Sequence, residues 1–257
     1  MQNNLPDRNT QNPYHALRNI FARIWAIWGL ISFIGTFLIV FIPAMLSYLM
    51  PELKGQWYFI RVSKVWIDIW LFLVACSVKV TGRENFKKGE VFIVVFNHNT
   101  LLDVPLSCPN VPGPNKTIAK DSFARIPLFG LYYSRGSILV NRNDVQSRRK
   151  SYDQMKKVLA SGMHMCIYPE GTRNRSSEPL KTFSDGAFKL SVETNKQIIP
   201  CIILGTARSM PVKKSCFLLP TRMKMHFLPP VSPTGKLTGE LKAAVFTQMR
   251  EYYVENL

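Results

Sequence analysis

The residues best suited to chemistry lie in Asn97-His98-Asn99-Thr100-Leu101-Leu102-Asp103, where a carboxylate follows an imidazole by five positions. In a straight helix, side chains five positions apart point about 140° away from each other around the axis. If His98 lies in a turn and Asp103 in the first turn of a helix, the carboxylate can instead fold back onto one imidazole nitrogen. The other nitrogen is then free to accept a proton from a bound alcohol. The alternative is that Asp103 only caps the helix and His98 is an ordinary polar residue at a strand end.

The elements around this segment indicate an α/β fold. The preceding residues, Glu90-Val91-Phe92-Ile93-Val94-Val95-Phe96, form an apolar, β-branched run that predicts a buried strand. Similar runs alternate with helical stretches farther along the chain, and Asp144 to Ser161 is the clearest helix. The other strand-like runs are Ser137 to Val140, Met165 to Tyr168, Ile198 to Leu204 and Met223 to Leu228. We therefore expect a mixed, mainly parallel sheet flanked by helices.

Three further segments follow the first in a recognisable order. They are Gly136-Ser137-Ile138-Leu139-Val140-Asn141-Arg142, Tyr168-Pro169-Glu170-Gly171-Thr172-Arg173 and Ile199-Pro200-Cys201-Ile202. With the His98 segment, these blocks resemble those of the glycerolipid acyltransferases, in particular the 1-acylglycerol-3-phosphate acyltransferases. Ala119-Lys120 and Ile126-Pro127-Leu128-Phe129-Gly130 are also similar to that family.

The resemblance implies a membrane-bound O-acyltransferase. Such an enzyme moves a fatty acyl group from a thioester, either acyl-CoA or acyl carrier protein, to the free hydroxyl of 1-acylglycerol 3-phosphate and makes phosphatidate. In this scheme His98 is the general base, Asp103 orients it, and the alcohol attacks the thioester without an acyl-enzyme. No cofactor is expected beyond the thioester co-substrate.

Arginine and lysine residues in these blocks are candidate phosphate ligands. Arg142 follows a strand, and its planar guanidinium matches a phosphate group; the alternative is a surface arginine. Lys120, predicted to lie in a loop, supplies a second contact or is an ordinary solvated charge.

The segment Glu170-Gly171-Thr172-Arg173 is predicted to form a sharp turn after a buried strand. Gly171 allows main-chain N–H groups to approach an anion closely. Arg173 can pair with phosphate, Thr172 can donate a hydrogen bond, and Glu170 can hold Arg173 or a substrate hydroxyl. The alternative is a glycine turn with ordinary charged flanks. Pro200 is interpreted as a strand-edge or bulge residue beside the pocket, with a purely structural role as the alternative.

Some positions differ from the family's pattern. Asn141 stands where an aspartate is common, Asn174 where a serine often follows, and Ser184-Asp185 where a basic residue often precedes Gly-Ala-Phe. These differences leave the lipid head group open, so another lysolipid, such as a lyso-amino-lipid, is the alternative substrate. A lipid hydrolase is disfavoured because the chain lacks Gly-x-Ser-x-Gly. A non-catalytic membrane-binding protein would leave the pairing of His98 with Asp103 unexplained.

Composition indicates the partners and the compartment. The net charge is +17, yet 47% of the residues are hydrophobic and lie in long uncharged runs, which favours an anionic membrane surface and anionic substrates over nucleic acid. The five cysteines form no Cys-x-x-Cys pair, which predicts reduced thiols in a cytosol-facing domain. Cys166 can be proposed as a nucleophile, but a core cysteine is favoured. The four histidines have no partners at metal spacing, so no metal site is expected.

The first part of the chain indicates membrane association. Residues 1–20 are predicted to be a polar, disordered tail, residues 21–80 membrane-associated helices, and residues 81–257 the acyltransferase domain. Ile24 to Leu49 contains no charged residue and exceeds the roughly 20 residues that cross a bilayer. Trp57 to Val78 is interrupted by charges and better fits an interfacial helix. Cations flank both stretches, which favours a membrane-inserted hairpin with the catalytic domain on the cytoplasmic side. For Ile24 to Leu49 the alternative is a buried core helix.

Overall fold

A computed structural model describes residues 13–256, in which helices alternate with the strands of one sheet. The α-helices are α1 (Pro13–Met45), α2 (Glu52–Leu73), α3 (Asp103–Ser107), α4 (Phe129–Gly136), α5 (Val145–Ala160), α6 (Gly186–Thr194), α7 (Thr206–Ser209) and α8 (Thr238–Glu255). The strands are β1 (Ser77–Thr81), β2 (Ile93–Phe96), β3 (Asn115–Lys120), β4 (Ser137–Val140), β5 (His164–Ile167), β6 (Ile198–Leu204) and β7 (Arg222–Phe227). Short 3₁₀ helices include Leu46–Leu49 and Asp121–Arg125.

The sheet order within the described residues is β1-β7-β6-β2-β5-β3-β4. The strand pairs are parallel except β6 with β7, which confirms the predicted mixed, mainly parallel sheet. Strand β2 lies in the middle, and its successive side chains point to opposite faces. Phe92, Val94 and Phe96 pack in the core on the α2 side. Ile93 and Val95 pack with α5, α6 and α8 on the other side. Burial on both faces explains the continuous apolar run.

Two strands escape sequence-based prediction. In β3 the buried positions are Asn115, Thr117 and Ala119, so the strand carries no apolar alternation. Strand β1 follows α2 closely. Its first residues belong to the apolar stretch that ends at Val78, so the hydrophobic pattern does not separate the strand from the helix. The sheet therefore starts at Ser77, before the domain boundary predicted at residue 81. Helix α5 matches its prediction, and Asp144 caps it by accepting hydrogen bonds from Gln146 N at 3.0 Å and Ser147 N at 3.1 Å.

Helices α1 and α2 form the predicted hairpin. Residues 13–20 are helical, so the prediction of a disordered tail is wrong for them, and residues 1–12 of that tail lie outside the described residues. The segment Tyr14–Leu49 is long and apolar enough to cross a membrane. Only 22% of its most apolar window is buried, so α1 is not a core helix.

Side-chain hydrogen bonds hold the two arms of the hairpin together, and an ion pair attaches the hairpin to α4. The indole N–H groups of Trp25 and Trp28 donate to the carbonyls of Val74 and Leu73, at 3.0 and 2.9 Å. At the hairpin turn, the buried guanidinium of Arg135 donates to both Glu52 carboxylate oxygens, at 3.0 and 2.9 Å. The indole bonds thus join α1 to the end of α2, and the Arg135–Glu52 pair attaches the start of α2 to α4.

Candidate functional site

The His98 turn begins where β2 ends, and Asn97 fixes its starting point. The Asn97 side chain is fully buried and bonds to the backbone of β6 in both directions. Its Nδ2 donates to the Ile203 carbonyl at 2.9 Å, and its Oδ1 accepts from Ile203 N at 2.7 Å. The Asn97 side-chain amide thus takes the place of the next pair of backbone hydrogen bonds between β2 and β6. The main chain after Asn97 can therefore turn away from the sheet.

The buried carboxylate of Asp103 organises the turn. Its Oδ2 lies 2.9 Å from His98 Nδ1 and also accepts hydrogen bonds from Asn99 N at 2.6 Å and Thr100 N at 2.7 Å. Asp103 is the first residue of α3, so it caps the turn and orients the imidazole at once. The Nδ1 proton is thereby assigned to the Asp103 bond, and Nε2 is the basic nitrogen. The His98 side chain is 17% exposed, so a ligand can reach it.

The turn after β5 holds the His98 backbone from the other side. Glu170 Oε1 accepts from His98 N at 2.8 Å, and Asn174 N donates to the His98 carbonyl at 2.6 Å. The second Glu170 oxygen accepts from Lys181 N at 3.1 Å. Within residues 13–256 Glu170 forms no ion pair with Arg173, so the first of its two predicted roles is wrong, and the bond to a substrate hydroxyl stays a prediction. Burial raises the pKa of the Glu170 carboxyl, although both backbone hydrogen bonds oppose this shift.

The Arg142 guanidinium lies next to Gly171 in this turn. Gly171 has a φ of 71°, and Arg142 Nη1 lies 3.8 Å from the place that a Cβ at this position would occupy. The N–H groups of Gly171 and Thr172 donate to the carbonyls of Tyr168 and Glu170, at 3.0 and 2.8 Å. These two N–H groups are therefore engaged in the turn, contrary to the expectation that they approach an anion. The half-buried Arg173 guanidinium has no hydrogen-bond or ion-pair partner among the described residues.

Lys181 is a site residue that sequence reasoning missed. Its Nζ donates to Thr172 Oγ1 at 2.6 Å, which places an exposed ammonium group at the Gly171 turn. Thr172 accepts this bond, and its hydroxyl proton remains available to donate to a ligand. The sequence did contain a signal for this residue. The basic residue that often precedes Gly-Ala-Phe in the family is absent before Gly186, and Lys181 supplies a cation a few positions earlier in the same loop.

The sheet order brings Lys120 to the same edge as His98. Strands β2, β5, β3 and β4 are parallel neighbours, so their carboxyl ends and the loops that follow them share one edge. Lys120 is the exposed last residue of β3, which corrects its predicted placement in a loop. Arg142 and the Gly171 turn follow β4 and β5 at this edge.

Pro200 does not lie at a strand edge. It is buried inside β6, between β2 and β7 in the sheet, and pairs with Val95. The pairing of β6 with β7 begins at Cys201, one residue later, so the proline stands where that ladder ends. This position explains how a central strand tolerates a residue without an N–H group. Pro200 thus lies within the sheet beneath the His98 turn.

Aromatic and sulfur groups complete the surroundings of His98. The Tyr168 ring lies 4.6 Å from the imidazole, and its hydroxyl is 2.6 Å from Ser107 Oγ. Cys166 and Cys201 are fully buried, and burial raises the pKa of both thiols. A raised pKa disfavours the nucleophilic thiolate, which agrees with the prediction that Cys166 is a core residue.

Comparison with known proteins gives one consistent result. The acyltransferase family model matches residues 77–204. A 1-acyl-sn-glycerol-3-phosphate acyltransferase of Chlamydomonas reinhardtii is 30% identical over 178 residues, which cover 67% of this chain and 53% of that protein. The protein of the same name from Borreliella burgdorferi is 32% identical over 141 residues, 54% of this chain and 56% of that protein. The chain thus spans about half the length of these curated relatives.

A solved structure resembles almost the whole chain. It is the crystal structure of the 1-acyl-sn-glycerophosphate acyltransferase PlsC from Thermotoga maritima, with a TM-score of 0.76 and 25% sequence identity. The likeness covers 94% of this chain and 97% of that one, and therefore includes the hairpin as well as the sheet.

The raised pKa of Glu170 predicts a pH dependence of stability. The folded protein holds this proton more tightly than the unfolded chain, so the contribution is fully present below the unfolded value of about 4.3. It is lost as the pH rises through the folded pKa. The free energy of unfolding of the native protein, relative to Glu170→Gln, should therefore decrease as the pH is raised from about 4 towards neutrality. Denaturant unfolding in detergent measures it, with Glu178→Gln as an exposed control; a difference that grows with pH would contradict this assignment.

Proposed function

Because the chain belongs to the acyltransferase family, we propose that it transfers a fatty acyl group from a thioester to the free hydroxyl of 1-acylglycerol 3-phosphate, producing phosphatidate. The observation that carries the proposal is the His98–Asp103 pair, whose 2.9 Å hydrogen bond leaves Nε2 free. Cationic side chains at or beyond the ends of β3, β4 and β5 lie at the same edge of the sheet. A base beside several phosphate-binding groups suits an alcohol that carries a phosphate.

In the proposed reaction Nε2 of His98 accepts the hydroxyl proton as the alcohol oxygen attacks the thioester carbonyl carbon. The new C–O bond forms and the C–S bond breaks, which releases the ester and a thiolate. The imidazolium then returns its proton to the thiolate sulfur, so His98 ends the cycle neutral. Asp103 stabilises the imidazolium and keeps the ring oriented, and no acyl-enzyme forms. General-base action of this kind contributes about 10² to 10⁴ in rate.

The phosphate of the acceptor is assigned to the cations around the Gly171 turn. Arg142 and Arg173 supply planar guanidinium groups, which suit phosphate oxygens. The exposed Lys120 and the half-buried Lys181 lie at the same edge and add positive charge. Thr172 donates its hydroxyl proton to a phosphate oxygen, since its lone pair already accepts from Lys181.

The departures from the family's pattern support no change of head group. Asn141 Oδ1 accepts from Asn143 N at 3.1 Å, and Asn174 Oδ1 accepts from Ser176 N at 2.9 Å. Asp185 forms an ion pair with Lys242 at 2.6 Å. Each of these side chains is used in local structure, so no observation favours a lyso-amino-lipid over the phosphate-bearing acceptor.

The hairpin geometry supports attachment to one leaflet of an anionic membrane rather than a full crossing. Near its start, α1 is held by a 3.1 Å hydrogen bond from Leu218 N to the Ala22 carbonyl. Just beyond its end, Tyr48 donates to the Leu131 carbonyl at 3.0 Å. A helix that touches the domain near both ends runs along it rather than away from it. Its exposed apolar side chains then face lipid, and the catalytic domain stays on the cytoplasmic side.

Removing the proposed base tests the chemistry. His98→Ala should reduce acyl transfer by about 10² to 10⁴ with fold and membrane binding intact. Asp103→Asn should retain more activity, because an amide can still bond the ring although it does not stabilise the imidazolium. Purified variants are assayed with acyl-CoA and acyl carrier protein donors against a panel of lysolipids. Turnover of His98→Ala near the native level would overturn the proposed mechanism. Preference of the native protein for another lysolipid would overturn the assignment of 1-acylglycerol 3-phosphate as the acceptor.

Lys181 has its own test. Lys181→Met should raise the KM for 1-acylglycerol 3-phosphate about tenfold, the equivalent of one charge-assisted hydrogen bond, with a smaller effect on kcat. Lys189→Met, which removes an exposed lysine from α6, is the matched control. An unchanged KM in Lys181→Met would show that this ammonium group does not contact the substrate.

A further inference from the structure

Apolar side chains are exposed in the connection between β3 and α4, here called the crossover segment (residues 121–128). Phe123, Ile126 and Leu128 are 39%, 46% and 46% exposed. Single exposed apolar residues are common on soluble proteins and need no explanation. Three within six residues, on one tight connection at the catalytic edge, form a patch.

The backbone of the crossover segment is strained at its last residue, Leu128. Leu128 has φ 59° and ψ −53°, and Phe129 N donates to the Pro127 carbonyl at 2.6 Å. This is a γ-turn of the rare, strained kind, which a non-glycine residue seldom adopts. Gly130 permits the tight packing that follows, since a Cβ there would overlap the Ala124 carbonyl. Such strain persists where the surrounding structure imposes it, and it clusters at functional sites.

The patch is continuous with the hairpin. Tyr48, in the hairpin turn, donates to the carbonyl of Leu131 in α4. Leu131, Leu46 and Leu49 are exposed between the two elements. The crossover segment follows β3 at the same edge of the sheet where the His98 turn follows β2, and Leu101 of that turn is 55% exposed. The exposed apolar side chains of the hairpin turn, α4 and the crossover segment are here called the apolar strip.

The charges beside the strip favour lipid as its occupant. Lys120 precedes the crossover segment and Arg125 lies within it, and both side chains are exposed. Apolar side chains beside long cations are typical of segments that lie in an anionic membrane interface, where the cations reach the lipid phosphates.

We propose that the crossover segment is a second membrane-inserting element, which enters the same leaflet as the hairpin. Phe123, Ile126 and Leu128 contact the acyl region, while Arg125 contacts lipid phosphates. Two attachment points fix the tilt of the domain, so that the His98 edge faces the lipid surface. The consequence for substrate entry rests on the proposed acyltransferase activity, whereas the insertion itself does not.

Site-specific fluorescence on the full chain tests the insertion. Cys216 is the exposed cysteine and the other four are buried, so Cys216→Ser provides a background for labelling. Ile126→Cys is labelled with nitrobenzoxadiazole and bound to phosphatidylcholine–phosphatidylglycerol vesicles. Leu237→Cys is the matched control, because Leu237 is 73% exposed and precedes α8, which packs on the opposite face of the sheet from α2.

On vesicles the label at position 126 should shift to the blue, be quenched by brominated lipid and be protected from iodide. The label at position 237 should stay accessible to iodide. Equal iodide quenching at both positions would overturn the proposal. Protection of position 126 that requires acyl carrier protein would also overturn it, because the strip would then bind a protein.

A second variant tests the consequence for substrate entry. The triple change Phe123→Ser, Ile126→Ser and Leu128→Ser should reduce transfer to vesicle-borne 1-acylglycerol 3-phosphate about tenfold, with little change for a short-chain, water-soluble analogue. An equal loss on both substrates would contradict a membrane role. If the native protein transfers no acyl group but the label at position 126 enters lipid, the proposed function fails and the insertion stands.

Discussion

Three hydrogen-bond donors converge on one oxygen of the buried Asp103 carboxylate, and the geometry of the candidate site depends on that convergence. A buried carboxylate is costly unless it is hydrogen-bonded, so the chain around it must present its N–H groups inward. The backbone N–H groups of Asn99 and Thr100 donate two hydrogen bonds to this oxygen, and Nδ1 of the His98 imidazole donates the third. The orientation of His98 thus follows from satisfying a buried charge, and the Tyr168 ring packs against the imidazole held in this way.

A second buried carboxylate couples this turn to the rest of the sheet. Glu170 is 72 residues from His98 in the chain, yet it accepts the His98 backbone N–H because β2 and β5 are parallel neighbours. One acidic residue therefore fixes the ring and the other fixes the main chain. The two loops hold each other, which explains how a short irregular segment keeps a defined geometry at the end of a central strand. The cations that follow β3 and β4 reach the same edge through the same parallel order.

The parts of the fold that could be predicted from the sequence are those whose signal lies in one short, continuous stretch of residues. The apolar run of β2, the capped helix α5 and the five-residue spacing of His98 and Asp103 are local, and each prediction is confirmed. Strand β3 was missed because its inward side chains are polar and depend on distant partners, such as the 3.2 Å bond that Thr117 Oγ1 donates to the Cys166 carbonyl. The backbone partners of Glu170 and the central position of Pro200 depend on strand order, which local patterns do not contain.

The indole bonds between the two arms of the hairpin have a consequence for the membrane attachment proposed above. The carbonyls of Leu73 and Val74 lie at the end of α2, where a helix leaves carbonyls without partners in its own ladder. Trp28 and Trp25 of α1 supply those partners, so one helix caps the other. In hydrocarbon each unpaired carbonyl would cost several kcal/mol, because no water replaces the lost bond. Separation of the arms is therefore costly in lipid, and the hairpin should insert and leave as one cooperative unit.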